Sequence, residues 1–144
     1  MSTPRLALLG ALLLPPTALA GSGGALVVRA TNFRNTDGQA IVEIYNAKDT
    51  WLDQGAGLVR RVVPLSGDTL ELRFEGLPPG TYAVSVIHDE NKNGELDFQW
   101  LPPGPAEGSG VSNDAPASFG PPSFADSAFR HSAEDLELRI TMRY

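Results

Sequence analysis

The sequence predicts an all-β protein, built as a single antiparallel β-sandwich of about seven strands. The chain has 144 residues, and its 15 glycines and 12 prolines interrupt long helices and favour short strands joined by turns. Apolar and polar residues alternate with a period of two in several stretches, as they do in strands with one buried face. No internal repeat or linker divides the sequence, so one domain is expected.

The first 20 residues have the pattern of a secretory signal peptide. Arg5 provides a positive charge, residues 6–14 form an apolar run, and residues 18–20 are Ala-Leu-Ala, a small-residue cleavage site. A membrane-spanning helix needs about 20 apolar residues, and this run is much shorter. We therefore expect cleavage after Ala20, a β-sandwich domain over residues 21–144, and export to the periplasm or out of the cell.

Six of the expected strands can be placed from apolar residues and turns. The clearest is the fourth, in which Leu70, Leu72 and Phe74 alternate with charged residues. The Pro-Pro-Gly turn at residues 78–80 then reverses the chain and starts a strand that is expected to lie centrally in its sheet. The predicted strands cover residues 25–33, 40–46, 59–65, 70–75, 81–88 and 136–143.

A long segment, residues 101–133, separates the last two of these strands. It is rich in Pro, Gly, Ser and Ala, and it is longer than the usual connections of compact domains. The apolar rings of Phe119, Phe124 and Phe129 favour packing over disorder, and residues 123–126 resemble the start of a capped helix. We predict a long ordered loop.

The charge balance limits the partners of the protein. Asp and Glu number 17 against 11 Lys and Arg, which gives a net charge of −6. Nucleic-acid binding is therefore not expected, because phosphates need a basic surface, and cations are the expected small partners. The chain has no cysteine, so neither a disulfide nor a lipid-anchored cysteine can hold it, and a bound metal is one remaining way to stabilise the fold.

Residues 88–97 place oxygen-bearing side chains at alternate positions, followed by a glycine and a further carboxylate. This spacing is typical of a calcium-binding loop, in which Ca²⁺ takes about six to eight oxygen ligands. Gly94 falls where such a loop turns sharply. The predicted ligands in the loop are the side chains of Asp89, Asn91, Asn93 and Asp97 and the backbone carbonyl of Glu95.

The loop is not a true EF-hand. Trp100 stands where an EF-hand has its bidentate Glu, and a strand precedes the loop instead of a helix. Glu107 is the favoured residue to close the metal shell, with Asp114 as the alternative, while Glu90 is expected to point outward. The competing interpretation is an ordinary two-residue hairpin turn at residues 93–94 with solvated acidic neighbours.

Two other function classes stay open. His88 with Asp89 or Glu107 could serve a small hydrolase or ligand-processing enzyme, although no nucleophile elbow is present, and we expect no enzyme. A carbohydrate-binding domain could use aromatic side chains. The candidates for stacking on sugar rings are Trp51, Tyr82 and Trp100. Zinc is not expected, because the chain has two histidines and no cysteine.

Several separated motifs in one order resemble an exported bacterial family, domain of unknown function 2141 (DUF2141). These are residues 88–97, Pro-Ala-Glu-Gly at 105–108, Gly-Val-Ser-Asn at 110–113 and Gly-Pro-Pro-Ser-Phe at 120–124. The resemblance covers essentially all of residues 21–144 and implies a small exported domain without an assigned activity. Glu107 matches the acidic position that follows proline in that family. The turn at residues 77–82 also resembles that of transthyretin-like or Ig-like sandwiches, which is a likeness of fold alone.

Overall fold

The computed structural model describes residues 23–144, which form ten strands, one short α-helix and two 3₁₀ turns. The strands are β1 (Leu26–Thr31), β2 (Gln39–Tyr45), β3 (Val59–Pro64), β4 (Thr69–Phe74), β5 (Gly80–Asp89), β6 (Phe98–Trp100), β7 (Pro103–Pro105), β8 (Gly108–Val111), β9 (Phe129–His131) and β10 (Leu136–Thr141). The helix α1 covers Phe124–Ser127, and the 3₁₀ turns cover Lys48–Thr50 and Ser112–Asp114. All six strands placed from the sequence are present within about two residues of their predicted bounds.

The strands form two main sheets and a separate hairpin. The three-stranded sheet has the order β10-β1-β4, and the five-stranded sheet has the order β3-β2-β5-β8 with β9 paired to the start of β5. The third unit is the β6-β7 hairpin. Every pairing is antiparallel except that of β1 with β10, in which Leu26 pairs with Leu136 in parallel. The predicted all-β sandwich is confirmed, and β5 lies inside its sheet as expected.

The main core lies between the two sheets. Residues at alternate positions of the strands point inward, so that β1 contributes Leu26, Val28 and Ala30 while its other residues are partly exposed. The largest inward-facing side chains include Phe33, Ile44, Phe74, Leu77, Tyr82, Leu138, Ile140 and Met142. Burial of these apolar side chains is the main favourable contribution to folding.

The outer face of the five-stranded sheet is buried as well. Away from the ends of the pair, where Gln39 and Thr81 are more exposed, the residues of β2 and β5 that point away from the main core are at most 5 % exposed; they are Ile41, Glu43, Tyr45, Ala83, Ser85, Ile87 and Asp89. Two chain segments cover them, one after β2 and one between β5 and α1. The protein thus has a third layer, and every predicted site residue lies in it or beside it.

The long segment of residues 101–133 is ordered, as predicted, but it is more than a loop. It contains β7, β8 and β9, which the sequence did not reveal, because prolines, glycines and serines give them no apolar alternation. The expected capped helix is present as α1, where the Ser123 hydroxyl accepts the backbone N–H of Asp126 at 3.1 Å.

The predicted signal peptide, residues 1–20, lies outside the described residues and stays a prediction. Within residues 23–144, no helix combines the length and the apolar character needed to cross a bilayer.

Candidate functional site

The acidic loop, residues 89–97, leaves the end of β5 and folds around the Asp89 side chain. Asp89 is fully buried, and its Oδ1 accepts the backbone N–H of Asn93 at 3.1 Å. Its Oδ2 accepts the Gly94 N–H at 2.9 Å and the Gln39 side-chain amide at 2.7 Å. Three donors therefore fix this carboxylate and draw the loop back over the end of the strand.

The two asparagines shape the loop locally. Asn91 Oδ1 accepts the Asn93 N–H at 3.1 Å, and Asn93 Oδ1 accepts the Glu95 N–H at 3.0 Å. Such turns need residues that tolerate positive φ, and here Lys92 has φ 57° and Gly94 has φ 82°. Each amide oxygen has two lone pairs, so one remains free on both asparagines for a further partner.

Asp97 closes the loop from the other side. Its carboxylate accepts the Asn91 side-chain N–H at 2.5 Å and the Asn93 side-chain N–H at 2.7 Å. Asp97 is only half-buried and both asparagines are exposed, so this part of the loop is open to solvent. The partial positive charge of the two amide groups thus faces the negative charge of Asp97.

Glu107 joins the acidic loop from the strand side. It is 5 % exposed, and its Oε1 accepts the N–H groups of Glu90 at 3.0 Å and Asn91 at 3.4 Å. Its Oε2 accepts the Asp97 N–H at 3.2 Å. The alternative residue, Asp114, instead bonds the backbone and hydroxyl of Thr141 in β10 at 2.8 and 3.0 Å. Of the two candidates, the fold brings Glu107 to the loop.

The acidic loop is not a two-residue hairpin turn. The strand that precedes it, β5, pairs with β2, β8 and β9, while the strand that follows it, β6, pairs with β7. That competing interpretation is therefore wrong. Among residues 23–144, however, no three His, Cys, Asp or Glu side chains already converge on a common metal position. The predicted ligands share one hydrogen-bond network, with the exposed Glu95 side chain outside it.

Three residues that sequence reasoning missed support the acidic loop. Gln39 holds Asp89, Gln54 Oε1 accepts the Leu96 N–H at 2.7 Å, and Arg60 Nη2 donates to the Gly94 carbonyl at 2.7 Å. They come from β2, from the segment after β2 and from β3, at 34 to 50 residues from their partners. No spacing in the sequence could signal contacts of this kind.

Arg60 connects the acidic loop to a buried carboxylate, Glu43. Glu43 accepts Arg60 Nη1 at 3.2 Å, the Tyr45 hydroxyl at 2.9 Å and the Gly57 N–H at 3.1 Å. Burial, followed by the hydrogen bond to Glu43, raises the pKa of Tyr45 well above its usual value. The phenol therefore stays protonated and donates to Glu43.

Glu90 does not point freely outward, contrary to the sequence prediction. Its carboxylate bonds the Arg34 guanidinium and accepts the Asn35 side-chain amide at 3.0 Å. Burial favours the neutral acid, but the hydrogen bonds from Asn35 and Arg34 and the Arg34 charge outweigh it and hold the pKa of Glu90 below its usual value of 4.5. The sequence pattern missed this because Arg34 and Asn35 lie in the distant turn after β1.

We expect Glu90→Gln to remove part of the acid sensitivity of the protein. A carboxyl with a lowered folded pKa stabilises the fold above about pH 4.5, and this contribution is lost as the pH falls through the folded pKa. At pH 7 the variant should lose about 1 kcal/mol of unfolding free energy, because Arg34 is half-exposed. Between pH 6 and 3 it should then lose less stability than the parent. Urea unfolding across this range measures both effects.

The matched control for that experiment is Glu95→Gln. It removes one negative charge from the same loop at an exposed side chain, and so separates a general charge effect from the loss of the Arg34 and Asn35 contacts. A Glu90→Gln pH profile that coincides with that of the parent would contradict the prediction.

His88 is fully buried at the end of β5, with both ring nitrogens engaged. Nε2 lies 2.8 Å from the Asp37 carbonyl, and Nδ1 lies 2.7 Å from the Tyr144 hydroxyl. Because a carbonyl only accepts, Nε2 donates to Asp37, and Nδ1 is engaged by the phenol. The ring also packs edge-on against Phe33, with the two ring centroids 5.4 Å apart. A general base needs a nitrogen that can reach substrate, and neither nitrogen of His88 is free in this arrangement.

The three aromatic candidates for sugar stacking lie in different environments. Tyr82 is 5 % exposed and belongs to the main core. Trp51 packs edge-on against Tyr45 and Phe124, with ring centroids 5.2 and 5.9 Å away. Its Nε1 donates a hydrogen bond to the Pro122 carbonyl at 2.8 Å. Trp100, on the β6-β7 hairpin, is 90 % exposed and is the most open of the three, since Trp51 is half-buried.

An apolar cavity of about 520 Å³ adjoins the acidic loop. Its floor is the outer face of the five-stranded sheet, including Tyr45, Ser85 and Ile87, and its walls come from residues 96–105 and 114–122. Leu96 and Phe98, at the end of the acidic loop and in β6, form part of one wall. The acidic loop and the cavity therefore share Leu96.

One comparison with known proteins identifies relatives of the chain. A family model described as "Uncharacterized protein conserved in bacteria (DUF2141)" matches residues 28–139. The resemblance drawn from the sequence motifs is thus confirmed over most of the chain. No curated protein and no solved structure matches it.

Proposed function

The chain belongs to the bacterial DUF2141 family, and we propose that it is an exported, non-enzymatic binding module whose fold is stabilised by one Ca²⁺ in the acidic loop. The observation that supports the calcium role most directly is the position of Glu107. It lies ten residues beyond Asp97 in sequence, yet bonds three backbone N–H groups of the loop. Export is proposed from the signal-peptide pattern of residues 1–20.

The donor atoms of the loop suit Ca²⁺ rather than a softer ion. Carboxylate, amide and backbone carbonyl oxygens are the ligands that a hard cation prefers. The proposed ligands are Asp89, Asn91, Asn93, the Glu95 carbonyl, Asp97 and Glu107. They offer three negative charges to one divalent ion, with no histidine or cysteine among them.

The present hydrogen bonds are compatible with binding. The Asn91 and Asn93 amide oxygens can keep their turn hydrogen bonds and use the second lone pair for the cation. Asp97 now faces the amide hydrogens of these two asparagines, and a cation would provide a stronger positive partner at the same place. Because the ligands must converge on the ion, binding would couple to ordering of the loop and of the cavity wall next to it.

Calcium should raise the melting temperature of the protein. Extracellular modules bind calcium with Kd values of about 10⁻⁴–10⁻³ M, so 10 mM calcium should add roughly 1.4–2.7 kcal/mol of stability. For a domain of this size that corresponds to an increase of roughly 5–15 °C. Thermal unfolding followed by circular dichroism, with calcium, magnesium or chelator, measures the effect. Magnesium should give a much smaller increase, because it prefers a small octahedral site and retains its waters.

The variant that tests the proposed calcium site is Asp97→Asn. It removes one proposed ligand charge from a half-buried side chain and leaves the buried hydrogen bonds of Asp89 and Glu107 intact. The calcium-dependent increase should shrink or vanish while the melting temperature in chelator changes little. An equal calcium response in the parent and in Asp97→Asn, or none in the parent at 10 mM, would disprove the proposed site.

A further inference from the structure

We propose that the cavity beside the acidic loop binds an apolar organic molecule that carries one anionic group, such as a medium-chain carboxylate. This inference rests on the proposed role as a binding module and names its class of ligand. It stands on the size, lining and charge of the cavity, which are separate from the oxygen ligands of the proposed calcium site.

The size and lining of the cavity fit a small apolar molecule. Ligand pockets commonly have volumes of about 300–1,000 Å³, and this cavity has about 520 Å³. Most of its lining is aliphatic, aromatic or proline, including Leu52, Ile87, Leu96, Phe98 and Pro121. Such surfaces bind apolar groups by releasing water from both partners.

Hydrogen bonds hold two aromatic side chains of the cavity lining, Tyr45 and Tyr144. The Tyr45 hydroxyl is bound to Glu43, and the Tyr144 hydroxyl lies 2.7 Å from His88 Nδ1 and accepts the Arg34 N–H at 3.1 Å. The Tyr144 ring lies so close to Gly108 that a Cβ at that position would approach one ring carbon to 2.4 Å. Side chains held in this way lose less conformational entropy when a ligand enters.

One positive charge on the wall offers a partner for an anionic group on the ligand. Two charged side chains line the cavity, Asp114 and Arg143. The Asp114 carboxylate is already engaged by the N–H and hydroxyl of Thr141. Arg143 makes one long contact, 3.3 Å to the Asp114 carbonyl, and pairs with no carboxylate in the described part of the chain. The Thr141 donors are neutral and leave the Asp114 charge in place, so the guanidinium is the one cationic group of the lining and the partner for a ligand anion.

Binding can be followed with Trp51, which contacts the cavity from behind. It packs on Tyr45 and bonds the carbonyl of Pro122, and both of these residues line the cavity. In a Trp100→Phe background Trp51 is the single tryptophan. We expect decanoate to change its fluorescence saturably, below the concentration at which decanoate forms micelles. Decanol, which has the same chain without the charge, should bind about tenfold more weakly.

Two pairs of variants separate cavity binding from nonspecific association. Ala117→Phe places a ring at the cavity wall and should weaken decanoate binding at least about tenfold, whereas Ser118→Phe adds the same ring beside the cavity and should not. Arg143→Gln should weaken decanoate to the level of decanol and leave decanol unchanged. No saturable decanoate signal, or equal losses in Ala117→Phe and Ser118→Phe, would overturn the inference.

The decanoate titration and the calcium-dependent melting shift are separate measurements, and together they distinguish the two proposals. Decanoate binding without any calcium-dependent melting shift supports the ligand site and contradicts the calcium site. A calcium shift without decanoate binding has the opposite meaning.

Discussion

Replacement of Asp89 by alanine is expected to cost about 3–5 kcal/mol of unfolding free energy even without calcium. The carboxylate is fully buried and accepts three hydrogen bonds, from the backbone of Asn93 and Gly94 and from Gln39. The Gly94 N–H and the Gln39 amide would lose their acceptor at about 1–3 kcal/mol each, whereas the Asn93 N–H keeps Asn91 Oδ1, and the costs add incompletely because the loop can relax. Urea unfolding in chelator, compared with the parent, measures this loss.

The matched control is Asp97→Ala in the same loop. The Asp97 carboxylate accepts only the side-chain amides of two exposed asparagines, which water can satisfy after the change. Its loss in chelator should stay near or below about 1 kcal/mol. Both variants should lose the calcium response, so that Asp89 emerges as a folding and metal residue and Asp97 as a metal residue alone. Equal stability losses in chelator would refute this division of roles.

Replacement of Glu43 by alanine should destabilise the protein by a similar amount, about 3–5 kcal/mol. The variant leaves the Arg60 guanidinium, the Tyr45 hydroxyl and the Gly57 N–H without their common acceptor in a buried layer. It should also loosen the acidic loop, because Arg60 holds the Gly94 carbonyl at 2.7 Å. Hydrogen exchange should therefore quicken at the loop amides as well as near Glu43.

Two controls divide the loss into charge and hydrogen bonding. Glu43→Gln keeps an acceptor of the same shape and should cost less than Glu43→Ala. Arg60→Met keeps the apolar stem of a side chain that is 29 % exposed, but removes both the ion pair and the Gly94 contact. If loop exchange is unchanged in Arg60→Met, Arg60 does not connect Glu43 to the acidic loop.

The strands of the sandwich were predictable because their signals are local. In β4, β10 and β5, every second residue is apolar, and this pattern predicts which side chains enter the main core. The strands β7 to β9 gave no such signal. They are short, contain Pro, Gly and Ser, and are held by pairing with β5 or β6, which are partners that the sequence does not specify.

The candidate site was predictable only along one stretch of chain. The spacing of Asp89, Asn91, Asn93 and Asp97 identified the loop, and Glu107 followed because it lies shortly after the loop in sequence. Glu43 gave the opposite signal, because a glutamate between apolar residues of a strand is normally expected to face solvent. It is buried only because Arg60 and Tyr45 pair with it under a layer of chain that the alternation pattern could not predict.

The parallel pairing of β1 with β10 has a consequence for the order of folding. The two strands are joined in register about 110 residues apart in sequence, and β1 lies between β4 and β10. A chain that emerges from its N-terminus can pair β1 with β4 early, but it cannot complete this sheet until its last strand is available. Closing so large a loop is entropically costly, and topologies rich in such contacts fold slowly. The arrangement should therefore delay closure of the three-stranded sheet until β10 is available.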